Sequence, residues 1–165
     1  MQDIIQLQRA TIDVHIRAES AKDWEAVYDT FVQGEAAYYD VAPLAMRFNG
    51  IAGVKDFYQT ISAALPDFQI IVTGEYDTPG CSIREVLING THLGEYGGVP
   101  ASGNRVAFEL AAFFLFGSGE NAGKIVCERV YFDNEILMRQ IRGEADAPTG
   151  IGLAEFSQAS ISARN

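Results

Sequence analysis

The sequence predicts a single α+β domain shaped like a cone, in which three N-terminal helices pack on a curved, mostly antiparallel sheet that encloses a pocket. Apolar residues recur with a helical period up to residue 65 and with a strand-like period from residue 68 onward. A length of 165 residues fits one domain, and a hydrophobic content of 48% is enough for a sizeable core. The 10 Phe and 7 Tyr residues suit a shaped apolar cavity.

The first predicted helix spans residues 3–19 and carries polar residues on its apolar side. At about 100° per residue, aliphatic residues cover one broad side, and Gln8, His15 and Glu19 project into the middle of it. His15 and Glu19 are four residues apart and therefore share one face. A buried polar group needs a partner, so we expect these side chains to meet others inside the core.

Two more helices are predicted before the strands begin. Ser20 is the expected N-cap of the second helix, with Asp23 in the capping-box position and Gly34 at its end. Extended segments are expected at 36–40 and 44–48, and the third helix at 51–65. The buried stripes of the two helices are Trp24, Val27, Tyr28 and Phe31, and Val54, Phe57, Tyr58 and Ile61.

Four strands follow, and one of them is apolar on both faces. Segments rich in β-branched and aromatic residues, separated by Gly, Pro and Asn, occupy 68–75, 81–93, 105–116 and 124–132. In the run 110–116 one face would line the core, and we expect the other to form a homodimer through the outer sheet face. The domain would comprise residues 1–143, and the small and polar residues of 144–165 predict a weakly structured tail.

Charge and composition exclude several classes of partner. The 12 Lys and Arg residues against 22 Asp and Glu give a net charge of −10, which repels phosphate backbones and anionic lipid. We therefore expect no nucleic-acid and no membrane partner. We also expect no signal peptide and no membrane span, and the two cysteines have neither metal-type nor redox-type spacing. A cytoplasmic protein without cofactor is predicted.

Several stretches resemble one known family. They are Asn49-Gly50-Ile51, Gly90-Thr91-His92-Leu93-Gly94-Glu95, the segment from Gly98 to Val106, Val130-Tyr131-Phe132-Asp133, and Leu137-Met138-Arg139-Gln140-Ile141. Together with the order of elements, they resemble the SnoaL-like polyketide cyclase family of the NTF2-like superfamily over roughly residues 5–143. The resemblance implies the NTF2-like cone and a small apolar substrate, polyketide-like or carbonyl, that is converted without cofactor by acid–base chemistry.

The resemblance also implies a catalytic set that this chain lacks. Family members use an aspartate at the end of the last long strand, and a Gln and a His on the preceding strand. The matching positions here are Val130, Leu110 and Ala112, all apolar. We expect these three residues to contact the substrate rather than to transfer protons. Asp133 belongs to the family pattern and is either catalytic or a cap at the end of the strand.

The remaining polar residues supply other candidates for acid–base catalysis. Strand alternation places Glu128 on the pocket face beside Val130, and a buried carboxyl group there needs a partner. We expect His15, Glu19 and Glu128 to form one cluster, which either transfers protons near neutral pH or only satisfies buried hydrogen bonds. His92, before a glycine-rich loop, either joins the site or anchors that loop. Tyrosine hydroxyls at Tyr38, Tyr39 and Tyr58 could bind a carbonyl oxygen; no short ligand motif supports a metal site.

Three functions remain open at this level. The first is a cofactor-independent isomerase, lyase or cyclase acting on a small carbonyl compound. The second is a non-catalytic small-molecule binding domain, which the apolar residues at 110, 112 and 130 favour. The third is a dimeric interaction domain that uses the apolar run 110–116. A cavity inside the cone would separate the first two functions from the third.

Overall fold

The computed structural model describes residues 2–148, where four α-helices and six β-strands follow one another in the order ααββαββββα. The helices are α1 (Gln2–Ala21), α2 (Trp24–Asp29), α3 (Gly50–Ala64) and α4 (Asn134–Ile141). The strands are β1 (Tyr38–Val41), β2 (Met46–Asn49), β3 (Gln69–Thr78), β4 (Cys81–Thr91), β5 (Arg105–Phe116) and β6 (Ile125–Phe132). No helix in this stretch is long and apolar enough to cross a membrane.

The six strands form one curved, unclosed mixed sheet with the order β2-β1-β6-β5-β4-β3. Strands β1 and β6 run parallel, and the other described neighbours are antiparallel. A bulge in β3 between Val72 and Gly74 shifts its register against β4. The helices pack on the sheet, so the α+β cone that the sequence predicts is confirmed.

The core lies between the helices and the inner face of the sheet. Alternate residues of β5, from Val106 to Phe116, point into it, because side chains of a strand alternate between faces. One group of buried residues joins α1, α2 and α3 to β1, β5 and β6, and a second joins the end of α3 to β5 and α4. The first group fills the cone near α1 and α2, and the second fills it between α4 and β5.

The second helix starts and ends elsewhere than predicted. Ser20 is not its N-cap, because α1 continues through Ser20 to Ala21. Lys22 then takes a left-handed conformation (φ 60°), and Asp23 becomes the N-cap, accepting a hydrogen bond from the backbone N–H of Ala26. The helix ends at Asp29, and Gly34 lies in a separate short 3-10 turn.

A fourth helix, α4, is an element that the sequence analysis did not predict. Its N-cap is Asp133, whose carboxyl group accepts hydrogen bonds from the backbone N–H groups of Glu135 and Ile136. Leu137 and Ile141 are buried with Val106 and Phe108, so the helix packs against the first half of β5. Of the predicted tail at 144–165, residues 149–165 lie outside the described part of the chain.

Three charged side chains connect α1 to the β3–β4 hairpin. They are Arg9, Asp77 and Arg84, and we call them the arginine cluster. The Asp77 side chain, 1% exposed, accepts hydrogen bonds from Arg9 Nε at 2.5 Å and from Arg84 Nη1 at 3.0 Å. Arg84, 2% exposed, also donates to the carbonyl oxygen of Ile83. Next to the cluster lies the buried side-chain amide of Gln8. Its nitrogen donates to the carbonyl oxygen of Thr78, and its oxygen accepts from the backbone N–H of Gly80.

Candidate active site

Helix α1 brings His15 and Glu19 to the sheet, one turn apart. His15 is fully buried, and the rings of Phe31 and Phe114 lie edge-on to its imidazole at centroid distances of 5.7 and 5.3 Å. Its Nε2 atom lies 3.8 Å from Glu19 Oε2, and the Glu19 side chain is 16% exposed. Both residues occupy the inward side of the helix, as their spacing predicts.

Strand β6 brings Glu128 to the same place from the opposite wall. Glu128 is 4% exposed, and its Oε2 atom lies 3.4 Å from His15 Nε2. The hydroxyl of Tyr58, on α3, donates to Glu128 Oε2 at 2.7 Å. The hydroxyl of Tyr39 donates to Glu128 Oε1 at 3.3 Å, because β1 pairs with β6 in a register that sets Tyr39 beside Glu128.

These five side chains form one polar group inside an apolar core, and we call it the cavity cluster. It consists of His15, Glu19, Tyr39, Tyr58 and Glu128. The structure therefore brings together His15, Glu19 and Glu128, which the sequence analysis grouped from helical spacing and strand alternation. That they act in catalysis stays a prediction.

The surroundings of the cavity cluster favour bound protons. Burial, and then the neighbouring charge of Glu128, raise the pKa of Glu19 from 4.5 to about 7, although His15 and Lys22 oppose the shift. Burial lowers the pKa of His15, but the hydrogen bond and charge of Glu128 and the charge of Glu19 outweigh it, so the net direction is upward. A carboxyl group with a pKa near 7 can both take and give a proton at neutral pH.

The two tyrosines of the cavity cluster are donors. Burial, followed by the negative charges of Glu128 and Glu19, raises the pKa of both Tyr39 and Tyr58 well above 10. Their hydroxyl groups therefore keep their protons at neutral pH. Tyr58 lies 3.1 Å from His15 Nε2 as well as 2.7 Å from Glu128, so it links the imidazole to the carboxyl group.

A cavity of about 420 Å³ opens beside the cavity cluster. Its wall is mostly apolar, and Glu19 and Tyr39 are the cluster members that reach it, whereas His15, Tyr58 and Glu128 lie behind them. The lining comes from the helices α1, α3 and α4, from every strand except β3, and from loops that include Glu95 and Tyr96. A mostly apolar cavity with few convergent polar groups is typical of a small-molecule site.

The predicted substrate-binding residues divide between the wall and its surroundings. Val130 and Leu110 line the cavity. Ala112 is 4% exposed and lies directly across from Val130 in the β5–β6 pairing, outside the lining. Tyr58 lies behind the wall. The prediction for Tyr38 is wrong, because strand alternation turns it to the other face of β1, where the guanidinium of Arg47 stacks on its ring.

The other predicted catalytic residues lie away from the cavity cluster. His92 is fully buried; its Nδ1 atom faces the Ser102 hydroxyl at 2.9 Å and accepts a hydrogen bond from the Ser102 backbone N–H at 3.2 Å. His92 therefore anchors the glycine-rich loop between β4 and β5. Asp133 caps α4 with its carboxyl group, and neither residue lines the cavity. Their hydrogen bonds in this fold hold a loop and a helix, away from the cavity cluster.

Two parts of the site were missed by the sequence analysis. Thr30 contacts His15 Nδ1 at 2.9 Å, and Tyr96, Asn134 and Met138 line the cavity from the β4–β5 loop and from α4. Thr30 follows Val27 by three residues on the inward side of α2, so helical periodicity could have found it. The α4 residues could not be assigned because that helix was not predicted.

The described residues contain no group of three or more His, Cys, Asp or Glu side chains arranged to hold a metal ion.

The fold and the cluster together define an α+β cone with an acid–base group at the wall of an apolar cavity. The profile of the SnoaL-like polyketide cyclase family matches residues 5–141. This chain belongs to the SnoaL-like polyketide cyclase family.

Solved structures share the fold at low sequence identity. A candidate SnoaL-like polyketide cyclase from Jannaschia sp. CCS1 superposes with a TM-score of 0.74 at 18% identity, over 84% of this chain and 93% of that one. AclR, a candidate hydroxylase from Streptomyces galilaeus, has a TM-score of 0.70 at 18% identity, over 86% of this chain and 98% of that one. IdmH, a candidate polyketide cyclase from Streptomyces antibioticus, has a TM-score of 0.66 at 19% identity, over 82% of this chain and 98% of that one. No curated protein matches the sequence.

Proposed function

We propose that this protein is a cofactor-independent acid–base enzyme, an isomerase, lyase or cyclase, that acts on a small apolar carbonyl compound. The observation that carries the proposal is Glu19, a carboxyl group that opens into a mostly apolar cavity and is backed by a buried His15 and Glu128. Burial of this kind is how enzymes bring a carboxyl group to a pKa near the working pH. Membership in a cyclase family agrees with this class of reaction.

The proposed reaction begins with proton transfer from carbon. Ionised Glu19 takes the proton from the carbon next to a carbonyl group, and the electron pair of the broken C–H bond moves to give an enolate. Tyr39 lines the cavity, and its hydrogen bond to Glu128 is long at 3.3 Å, so its hydroxyl can donate to the enolate oxygen instead. Behind Glu19, the imidazole of His15 lies within 3.8 Å of both carboxyl groups and stabilises their negative charge.

The second half returns the proton and needs no other reactant. In a cyclase, the enolate carbon forms a bond to a second carbonyl carbon of the same molecule, and the alkoxide so produced takes the proton back from Glu19. In an isomerase, the proton returns to a different carbon. Val130 occupies the position where the family resemblance implies an aspartate, and in this proposal the Glu19 carboxyl group takes over its role from the facing wall.

The test is exchange of carbon-bound protons in a simple ketone. We expect the wild type to accelerate hydrogen–deuterium exchange next to the carbonyl of 2-tetralone in D2O, followed by proton NMR. Glu19→Gln and Glu128→Gln should lower the rate by about 10²-fold or more, since general acid–base catalysis contributes about that much. Glu109→Gln, on the exposed outer face of β5, is the matched control. Unchanged exchange in Glu19→Gln would rule out this role.

Non-catalytic binding is the second candidate function, favoured by the apolar Leu110 and Val130 in the cavity wall. It predicts that 2-tetralone binds, measured by calorimetry, while its exchange rate stays at that of buffer. In that case Glu128→Gln should lower the melting temperature and leave ketone affinity nearly unchanged. If Glu128 instead supports proton transfer by Glu19, the same change loses turnover and affects stability little.

We also propose a homodimer through the outer face of the sheet. On that face Phe113 and Tyr131 pack edge-to-face at 5.5 Å, and Tyr131 is 47% exposed. Aromatic side chains of this kind are common at the centre of protein interfaces. Light scattering at micromolar concentration should give twice the chain mass of 18.0 kDa. A monomeric mass would contradict the proposal, and Tyr131→Lys should shift the equilibrium towards monomer.

A further inference from the structure

Thr30, at the end of α2, has a hydroxyl group with two close polar neighbours inside the core. Its Oγ1 atom lies 2.6 Å from the carbonyl oxygen of Val27 and 2.9 Å from His15 Nδ1. A carbonyl oxygen can only accept, so at 2.6 Å the one hydroxyl proton of Thr30 must point at Val27. The lone pairs of Oγ1 therefore face His15 Nδ1.

An acceptor at Nδ1 decides which imidazole nitrogen carries a proton. Nδ1 must donate, so it is protonated in the neutral and in the cationic form of His15 alike. In the neutral form Nε2 is bare, and it faces the Tyr58 oxygen at 3.1 Å, whose proton points at Glu128, together with Glu128 at 3.4 Å and Glu19 at 3.8 Å, so it is the nitrogen at which a second proton finds acceptors. Nε2 is therefore the atom at which the cavity cluster exchanges its proton.

We infer that Thr30 is a positioning residue that holds His15 in the Nδ1–H tautomer and so keeps Nε2 free as a proton acceptor for the two carboxyl groups. The catalytic consequence rests on the proposed function, whereas the tautomer does not. Thr30 itself is 5% exposed and does not line the cavity, so it acts through His15 alone. The groups that face the imidazole from the other elements are Tyr58 and Glu128, which lie at Nε2, and the rings of Phe31 and Phe114.

The second histidine of the chain provides an internal reference. His92 Nδ1 accepts a hydrogen bond from the backbone N–H of Ser102, which forces the proton of its neutral ring onto Nε2. Burial lowers the pKa of His92, so its ring stays neutral. The sequence contains 2 histidines, and they are expected to hold opposite tautomers.

Long-range proton–nitrogen NMR spectra of the uniformly ¹⁵N-labelled protein test the tautomers directly. In the wild type we expect a protonated Nδ1 for His15 at every pH and a protonated Nε2 with a bare Nδ1 for His92. A bare Nδ1 in His15 would overturn the inference without any variant. This readout is independent of turnover, so it fails or holds separately from the proposed enzyme function.

Variants test whether Thr30 causes the tautomer. Thr30→Ser keeps the hydroxyl and should keep the His15 spectrum, whereas Thr30→Val, of equal shape, should move proton density to Nε2. Thr11→Val is the matched control, because Thr11 Oγ1 also donates to a carbonyl oxygen, that of Gly123, but has no histidine partner. An unchanged His15 spectrum in Thr30→Val would refute the role of Thr30. If Thr30→Val does not fold, a His15 tautomer lost in Thr30→Ser would refute it equally.

Exchange kinetics with 2-tetralone supply the functional arm. Thr30→Val should lower kcat at least about tenfold with little change in KM, because a tautomer defect weakens proton transfer and not binding. Thr30→Ser should restore most of the rate. A tautomer shift in Thr30→Val without any loss of kcat would remove His15 from the proton transfer while leaving the structural inference in place.

Discussion

Two polar clusters lie between α1 and the sheet, and they differ in how their charges are balanced. In the arginine cluster, the guanidinium groups of Arg9 and Arg84 share the Asp77 carboxyl group. In the cavity cluster, the carboxyl groups of Glu19 and Glu128 face a single imidazole. One cluster therefore has partners for its negative charge, and the other has more carboxyl groups than cations.

The difference appears in the direction of the pKa shifts. Burial opposes ionisation of Asp77, but the nearby Ser82 hydroxyl, Arg9 and Arg84 outweigh it, and the pKa of Asp77 is lowered. For Glu19, burial and the charge of Glu128 act together, and the pKa rises to about 7. A carboxyl group with two cationic partners stays ionised and holds its neighbours together, whereas an excess of carboxyl groups beside a cavity leaves a proton that can move.

The largest expected effect comes from breaking the arginine cluster. Asp77→Asn should lower the free energy of unfolding by up to about 3–5 kcal/mol, because it leaves buried Arg84 with the half-exposed Glu75, 3.7 Å from its Nη2 atom, as its carboxylate partner. Asp40→Asn is the matched control: Asp40 also binds two arginines, Arg47 and Arg129, but these are 51% and 31% exposed and remain hydrated. Urea unfolding should show the smaller loss there. Equal losses would contradict the assignment of the arginine cluster as the structural one.

The pH dependence of stability should have opposite signs in the two clusters. Glu19 binds its proton more tightly in the folded state, so its contribution is fully present below 4.5 and is lost as pH rises through about 7. The loss is on the order of 3 kcal/mol at most. The raised pKa of His15 acts in the same direction, present below 6.5 and lost above its folded value. Asp77 contributes above 3.8 and loses its contribution as pH falls through its lowered folded pKa.

Unfolding curves measured across pH separate these contributions. Glu19→Gln should flatten the fall in stability between pH 4.5 and about 7, and Asp77→Asn should flatten the fall on the acid side of 3.8. A Glu19→Gln variant with the full wild-type fall between those values would show that Glu19 is not the group that binds the extra proton.

A carboxyl group added to the cavity wall sharpens the comparison further. Val130→Asp should leave the fold intact, at a cost of about 1–3 kcal/mol, and the introduced carboxyl group should have a raised pKa because desolvation disfavours its charge. Val14→Asp, on α1 and 43% exposed, is the matched control with an ordinary pKa. Carbon NMR of the labelled side chain measures both, and a normal pKa in Val130→Asp would mean that water fills this part of the cavity.

The smallest expected effects come from single hydroxyl groups. Tyr58→Phe should cost about 1 kcal/mol of stability, since it removes a buried hydrogen bond of 2.7 Å to Glu128. Tyr39→Phe should cost less, because its bond to the same carboxyl group is 3.3 Å long. Thermal unfolding in the same buffer ranks the two variants. The reverse order would place the stronger donor to Glu128 on β1 instead of α3.

Much of the architecture follows from local patterns. The strand predicted at 105–116 coincides with β5, Arg105–Phe116, because β-branched and aromatic residues bounded by turn residues leave little choice. Helical spacing placed His15 and Glu19 on one face, and alternation placed Glu128 beside Val130. The error at the start of α2 came where two local signals competed, because Ser20 and Asp23 can each cap a helix.

Tertiary structure decided which hydrogen-bond partners the side chains of the site found. The amino-acid sequence by itself determined the α+β cone, the inward faces of α1 and β6, and the three ionisable side chains that had to find partners there. The contribution of the Tyr39 hydroxyl depends on the parallel β1–β6 register, that of Tyr58 depends on how α3 packs on the sheet, and the choice of Thr30 as partner of His15 depends on how α2 packs against α1. Periodicity is a property of one element, whereas hydrogen-bond partners between elements depend on packing across the whole core.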